Sequence, residues 1–425
     1  MINKFRLKSV TNFIFFAFIY LVLIFDRAFS GIYLKGFRIG EYMVAIGLIC
    51  LLTLSIFSFK YKSLNITNRI TLALALLILS FICLNLVRGD NFGTPYVYKA
   101  SSYIWILGYL LLGYVFQKKF QSTKMAIISL NITLLISYFL GVIYYPEFLI
   151  NFFTTYSDKF DFPKASMYLL FYVIVTHLNF EQFKKNPINY YYFLSLSGLF
   201  FPLFIFKSRG AFLAALIYFI FYSLLSKKFI ITNLKILPFA LIAGIGAFYI
   251  SSFLISGAKI EPEKSTVVVS EVFENKETSE AFISIYLEEG RLYSRDGNIN
   301  WRLQIWQDVI SNSIESNHVL FGYGYGDIIP AMDDPQRKGE DGTNENVHNF
   351  LLNIFARGGL FHLLTYIFII YEIYKTSKTT SNQSSMLLLL LPIFIVSFFD
   401  ASMENPHFPF LFYFFLGRLT NELKL

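Results

Sequence analysis

The strongest constraint on this chain is the recurrence of apolar runs about as long as a bilayer core is thick. They fall near residues 13–25, 42–59, 70–87, 101–116, 125–145, 165–178, 190–206, 211–225 and 236–255. After a long polar gap come 347–374, 386–399 and 408–419. With 55% hydrophobic and only 15% charged residues, against about 25% charge in ordinary globular chains, a soluble domain has no way to bury so much apolar surface. The pattern predicts an all-α membrane protein of about twelve transmembrane helices. Residues 1–255 supply helices one to nine, 256–346 form one large external loop, and 347–425 supply helices ten to twelve. Lys4, Arg6 and Lys8 precede the first run and no small-residue cleavage site follows it, so that run is expected to stay as a span.

Basic residues alternate between the connections. One set, starting with Lys4, Arg6 and Lys8 and ending with Arg418 and Lys424, holds eighteen Lys and Arg, against nine in the short connections of the other set. The basic excess belongs in the cytoplasm, which puts both termini there and turns the long loop outward. The formal net charge of +8 is then a topology signal and gives no reason to expect nucleic acid. Cys50 and Cys83 lie inside apolar runs, and His177, His318, His348, His362 and His407 show no ligand spacing, so neither a metal site nor a cofactor is expected.

The external loop changes character along its length. Residues 261–289 are rich in Glu around Val267-Val268-Val269 and read as an insertion. From 302 to 315 apolar residues return at helical spacing, with Leu303, Trp306, Ile310 and Ile314 on one stripe, which predicts an amphipathic helix lying on the membrane surface or on the bundle. Gly322-Tyr323-Gly324-Tyr325-Gly326 follows, suited either to a close backbone approach to a ligand or to a tight turn. Residues 333–345 form an acidic link.

Three clusters on the outward side bear candidate chemistry. Lys207-Ser208-Arg209-Gly210 joins two apolar runs with almost no loop. A guanidinium beside hydrocarbon costs at least ~2.5 kcal/mol on insertion scales, and its planar fork of donors suits phosphate. Asn346-Val347-His348-Asn349 opens the tenth span, where the asparagines can cap a helix and the imidazole can move a proton near neutral pH. Asp400, Glu404 and His407 line the last outward connection and can orient His348, bind a sugar, or solvate the loop. Arg88-Gly89-Asp90 reads as a local ion pair in a turn.

The ordered set of Ser208-Arg209-Gly210, an external loop, Arg302-x-x-x-Trp306, the glycine-tyrosine turn and His348-Asn349 resembles the O-antigen ligase and O-antigen polymerase superfamily, best from 209 to 359. The resemblance implies a GT-C-like fold of polytopic transferases with polyprenyl-linked donors. It implies an enzyme of the bacterial inner membrane that transfers a glycan at the periplasmic face from undecaprenyl diphosphate to an acceptor hydroxyl. The acceptor is lipid A-core in a ligase or a second lipid-linked glycan in a polymerase. It assigns Arg209 and Arg302 to the donor diphosphate and His348 to the base, with Arg291 and Arg295 as rivals for the role of Arg302. Asn349, Gly322, Gly324, Asp400 and Glu404 are possible supporting residues. A base opposite the leaving diphosphate inverts the anomeric centre, and two arginines can take the place of a metal. A transporter or flippase of lipid-linked sugar is the alternative of another class, but it predicts charges at mid-span, whereas here they cluster at the outward boundary.

Overall fold

The computed structural model of the chain describes residues 2–61, 68–116, 124–158, 160, 162–182, 188–227, 230, 235–256, 285–337, 344–378 and 383–422. The acidic insertion up to residue 284, several of the basic connections and the middle of the acidic link lie outside the described residues. In chain order the elements are α1 (Ile2–Ser30), a hairpin of β1 (Tyr33–Leu34) and β2 (Phe37–Arg38), α2 (Ile39–Tyr61), α3 (Asn68–Arg88), α4 (Pro95–Ala100), α5 (Ser102–Trp105) and α6 (Gly108–Phe116). There follow α7 (Lys124–Val142), α8 (Glu147–Tyr156), α9 (Ala165–Gln182), α10 (Ile188–Lys207), α11 (Arg209–Leu225) and α12 (Leu237–Ser256). The loop holds β3 (Ile285–Glu288), β4 (Arg291–Ser294) and α13 (Gly297–Glu315), and α14 (Phe350–Lys378), α15 (Gln383–Ser397) and α16 (His407–Glu422) complete the chain.

Each of the twelve apolar runs folds as helix. Five helical stretches, Arg69–Arg88, Met125–Val142, Asn189–Lys207, Leu237–Ser256 and Phe350–Lys375, are long and apolar enough to cross a membrane, and five further apolar helices run to 10–17 residues. Three runs differ from a plain span. Helix α1 continues to Ser30 through a kink at Asp26, whose φ of 47° leaves the helical region. The run 101–116 is interrupted at Ser101 and again at Ile106-Leu107, where Gly108 presses so closely on α2 that a Cβ there would lie 2.0 Å from the Gly47 carbonyl oxygen. The last run is buried on all sides: Phe408 and every residue from Phe410 to Leu416 are shielded, so this aromatic helix packs against protein all round.

The chain divides into two compact units. The first comprises Met1–Tyr42, Lys118–Phe273 and Leu391–Ile393. Its tightest pair is α10 with α12, whose backbones meet where a Cβ on Gly198 would fall 2.0 Å from the Gly244 oxygen. The hairpin β1–β2 is tied to the end of α8 by an Ile32–Ser157 bridge and an Arg38–Asp158 ion pair at 2.7 Å. The second unit comprises Met43–Gln117, Glu274–Leu390 and Phe394–Leu425. There α6 and α16 pack at glycine distance, and the long polar loop builds a small core with the start of α14 from Ile305, Val309, Ile329, Ala331, Met332, Val347 and Ala356.

That core corrects the orientation expected for the loop helix. α13 forms, with the Asp296 side chain accepting from the Ile299 amide as its N-cap, but its buried face is Ile305 and Val309, both 0% exposed, flanked by Trp301 and Trp306. Ile310 and Ile314, expected on the packed stripe, are 44% and 60% exposed. The helix is apolar on more than one side, and the stripe that found a partner is the one facing the start of α14.

Candidate functional site

Helix α14 begins two residues after its histidine. Asn349 is its N-cap, with Oδ1 accepting from the Leu352 amide at 3.1 Å and the backbone carbonyl accepting from Asn353 at 2.8 Å. His348 therefore lies just before the helix, in a left-handed backbone conformation with φ 57°. For a residue with a Cβ that geometry costs about 1–2 kcal/mol, and it directs the side chain away from the helical path. Its imidazole packs edge-to-face on Trp301, with ring centroids 5.1 Å apart. Val347, immediately before it, is buried in the loop core, and its carbonyl accepts from Trp306 Nε1 at 2.9 Å.

Arg302 follows Trp301 on α13. Its guanidinium donates to the Phe399 carbonyl, in the connection that holds Asp400 and Glu404. Burial pushes the guanidinium below its ordinary pKa, and the nearby carboxylates of Asp400 and Asp296 oppose that shift. Its Nε is buried and has no hydrogen-bond partner among the described residues. One helix thus brings Arg302 to the Asp400 connection and Trp301 to His348. Glu404 sits in a short 3-10 turn, Ala401–Glu404, with its carboxylate oxygens buried.

The other arginines of the loop stand elsewhere. β3 and β4 form a hairpin through Glu289-Gly290, both with positive φ as a two-residue hairpin turn requires. Gln307 clamps that hairpin to α13, accepting from the Leu292 amide at 2.7 Å and donating to its carbonyl at 2.9 Å. At the start of β4, Arg291 pairs with Asp308 at 2.6 Å, and Arg337 takes the other oxygen of the same carboxylate. Arg295 is exposed, just before the start of α13.

The glycine turn docks into a break in α14. Gly359 interrupts the helix with φ 66° and ψ −168°. The interruption frees two carbonyls and two amides, those of the helical bonds from Leu360 to Ala356 and from Phe361 to Arg357 that no longer form. The turn satisfies all four. Tyr323 and Gly324 amides donate to the Ala356 and Arg357 carbonyls at 2.7 and 2.9 Å, while Val319 and Leu320 carbonyls accept from Leu360 and Phe361 at 2.8 and 3.2 Å. Gly322 and Gly324 have positive φ because the turn must approach that closely. Two arginines hold its outer side: Arg88 donates to the Tyr323 and Gly322 carbonyls, and Arg357 to those of Gly324 and Asp327 and to the Tyr96 hydroxyl. Arg88 thus reaches the turn, where a local pair with Asp90 was expected, and the Asp90 carboxylate lies against Gly326. Below, Tyr325 is buried, sharing hydrogen bonds with Tyr103 at 2.7 Å and His362 at 2.9 Å.

Sequence reasoning missed the tryptophans as partners of His348 and the arginines Arg88 and Arg357 as holders of the turn. Arg357 carried a signal, as a charge beside two glycines inside an apolar run, and Arg88 and Trp306 were noted without these roles.

In the first unit, Arg209 is the first residue of α11. Ser208 caps that helix, its hydroxyl accepting from the Ala211 amide at 3.3 Å. The guanidinium therefore stands at the positive end of a helix dipole, where both favour an anion.

Compared with curated proteins, the chain matches none. A family model described as O-antigen ligase matches residues 194–367, a span that includes Arg209, Arg302, Gly322, Gly324, His348 and Asn349. Over that span the chain is similar to the O-antigen ligase family.

Proposed function

We propose that the protein is an inverting glycosyltransferase of the bacterial inner membrane, with about twelve spans and its active face toward the periplasm. It takes a glycan from undecaprenyl diphosphate and joins it to an acceptor hydroxyl, with lipid A-core as acceptor. His348 removes the hydroxyl proton as the acceptor oxygen forms its bond to the anomeric carbon, and the bond from that carbon to the diphosphate breaks on the opposite side. Negative charge grows on the departing undecaprenyl diphosphate, where Arg302 and Arg209 stabilise it; each such donor is worth about 10²–10³ in rate.

The observation that carries this reading is the geometry of α13, which sets a half-buried cation and a histidine in one rigid frame. The family match over these residues supports it. The family match alone supports ligase- or polymerase-type transfer in general, so the acceptor is the open choice. Purified protein supplied with a synthetic undecaprenyl-diphosphate-linked donor and either lipid A-core or a second lipid-linked repeat decides it. His348→Ala and Arg209→Ala are expected to fold, insert and lose transfer. Unchanged transfer in both variants overturns the mechanism, and transfer to the lipid-linked repeat alone makes the protein a polymerase.

A further inference from the structure

Both tryptophans on the inner side of α13 touch the segment that carries His348. Trp306 Nε1 donates to the Val347 carbonyl at 2.9 Å and so fixes the main chain immediately before the histidine. Trp301 packs against the imidazole, centroids 5.1 Å apart and planes at 69°, and so fixes the ring itself. Between these contacts residue 348 is held in its left-handed conformation. A histidine just outside a helix has two torsions to choose, and nothing in the Asn349 cap restricts them. The indole contacts do.

We propose that Trp301 and Trp306 are positioning residues for His348. This rests on the assignment of His348 as the base. Neither tryptophan touches the reacting atoms. Their effect is to hold the imidazole in one orientation and at one height above the start of α14, in the same frame as Arg302. Trp301 is the immediate neighbour of Arg302, and adjacent residues on a helix point about 100° apart, so one rigid element directs the guanidinium toward Asp400 and the indole toward the imidazole. Base and anion-binding charge then keep a constant separation. A misplacement of about 1 Å at a reacting group costs about 10²-fold in rate.

The test uses the full-length protein with the synthetic donor, measuring kcat and donor KM alongside thermal stability. Trp306→Phe keeps an aromatic ring in the core but removes the N–H donor. It is expected to lower kcat about tenfold with donor KM within about twofold, the split expected when orientation and not binding is lost. Trp301→Ala is expected to lower kcat about 10–100-fold, and Trp301→Phe, which restores a ring, to recover most of that loss. A packing role predicts otherwise: Trp306→Phe silent, and Trp301→Ala altering stability alone. His348→Ala is the reference arm. If it abolishes transfer while Trp306→Phe and Trp301→Ala keep the parent kcat, positioning is overturned and the base assignment stands. If His348→Ala still transfers glycan, the base assignment falls and the positioning role falls with it. Should Trp301→Ala fail to fold, Trp306→Phe decides.

Discussion

Gly359 is the residue on which the break in α14 depends, and replacing it gives a measurable consequence. Its φ of 66° with ψ −168° belongs to a region open essentially to glycine alone. A Cβ at that position would lie 2.3 Å from the carbonyl carbon and oxygen of Leu320 and 2.4 Å from the Phe321 nitrogen. All three are backbone atoms, so no rotamer change relieves the clash. Gly359→Ala then costs about 1–3 kcal/mol in backbone strain and about 1–3 kcal/mol in overpacking. The alternative response is for α14 to straighten, with Leu360 and Phe361 donating again to Ala356 and Arg357 and the glycine turn losing its four backbone bonds. Either route loosens the turn. Thermal unfolding in detergent reads the loss: at about 2–4 °C per kcal/mol, Tm is expected to fall by at least about 4 °C. Gly246→Ala is the control, since nothing lies within 4 Å of a Cβ at that position in α12, and there the same substitution gains up to about 1 kcal/mol. A Gly359→Ala protein as stable as its parent would refute the reasoning.

Arg302→Lys keeps the charge and loses the planar fork, one arm of which reaches the Phe399 carbonyl. Transfer from the synthetic donor is expected to fall about 10–100-fold with the protein still folded, and parent-like kinetics would remove the bidentate role. Asp308→Ala leaves Arg291 and Arg337 without their shared carboxylate, a loss of about 1–3 kcal/mol confined to the loop. Hydrogen exchange followed by mass spectrometry is expected to rise across residues 285–337 and not in α10 or α12. Unchanged exchange there would mean that Gln304 and Gln307 secure the hairpin without the ion pairs.

Hydropathy marked the helices of the twelve apolar runs because lipid and protein interiors reward the same pattern, and it overstated the continuity of two of them for the same reason; the short helices α4 and α8, between runs, went unmarked. A run such as 101–116 is apolar throughout, so nothing in its composition marks the interruption at Ile106-Leu107. The break comes from backbone contact between Gly108 and Gly47, which are far apart in sequence. The loop helix was legible as a helix but not in its orientation, because Leu303, Ile310 and Ile314 on one side and Ile305 and Val309 on the other are equally apolar. What selected the second side was Val347 and Ala356, supplied by a segment some forty residues on. Arg209 could be picked out because a charge between two apolar runs is expensive to keep, His348 because an imidazole opening an apolar run can move a proton, and Arg302 through the resemblance alone. Trp301 and Trp306 could not, because an aromatic residue in an apolar stripe looks the same whether it fills a core or orients a neighbour. The glycine turn showed its need for positive φ and concealed its partner, since four backbone groups of a broken helix leave no trace in side-chain pattern.

The surroundings of Arg302 bear on why an arginine in this position suits a diphosphate. Desolvation weakens the hold of water on the guanidinium, and Asp400 and Asp296 keep it charged, as an arginine remains at neutral pH in any case. One arm is committed to the Phe399 carbonyl, which fixes the plane of the group, while the buried Nε has no acceptor among the described residues. A phosphate that takes charge-assisted hydrogen bonds from a partly desolvated guanidinium gains more than it would from a fully hydrated one. A solvent-exposed arginine offers no such gain, because its donors are already satisfied by water. The desolvation is therefore met on folding, before substrate arrives, and the guanidinium needs no reorganisation as charge grows on the leaving diphosphate. In the proposed mechanism α13 would couple binding to proton transfer, because it carries both Arg302 and the indole that packs on His348, and loosening the helix is expected to weaken both at once.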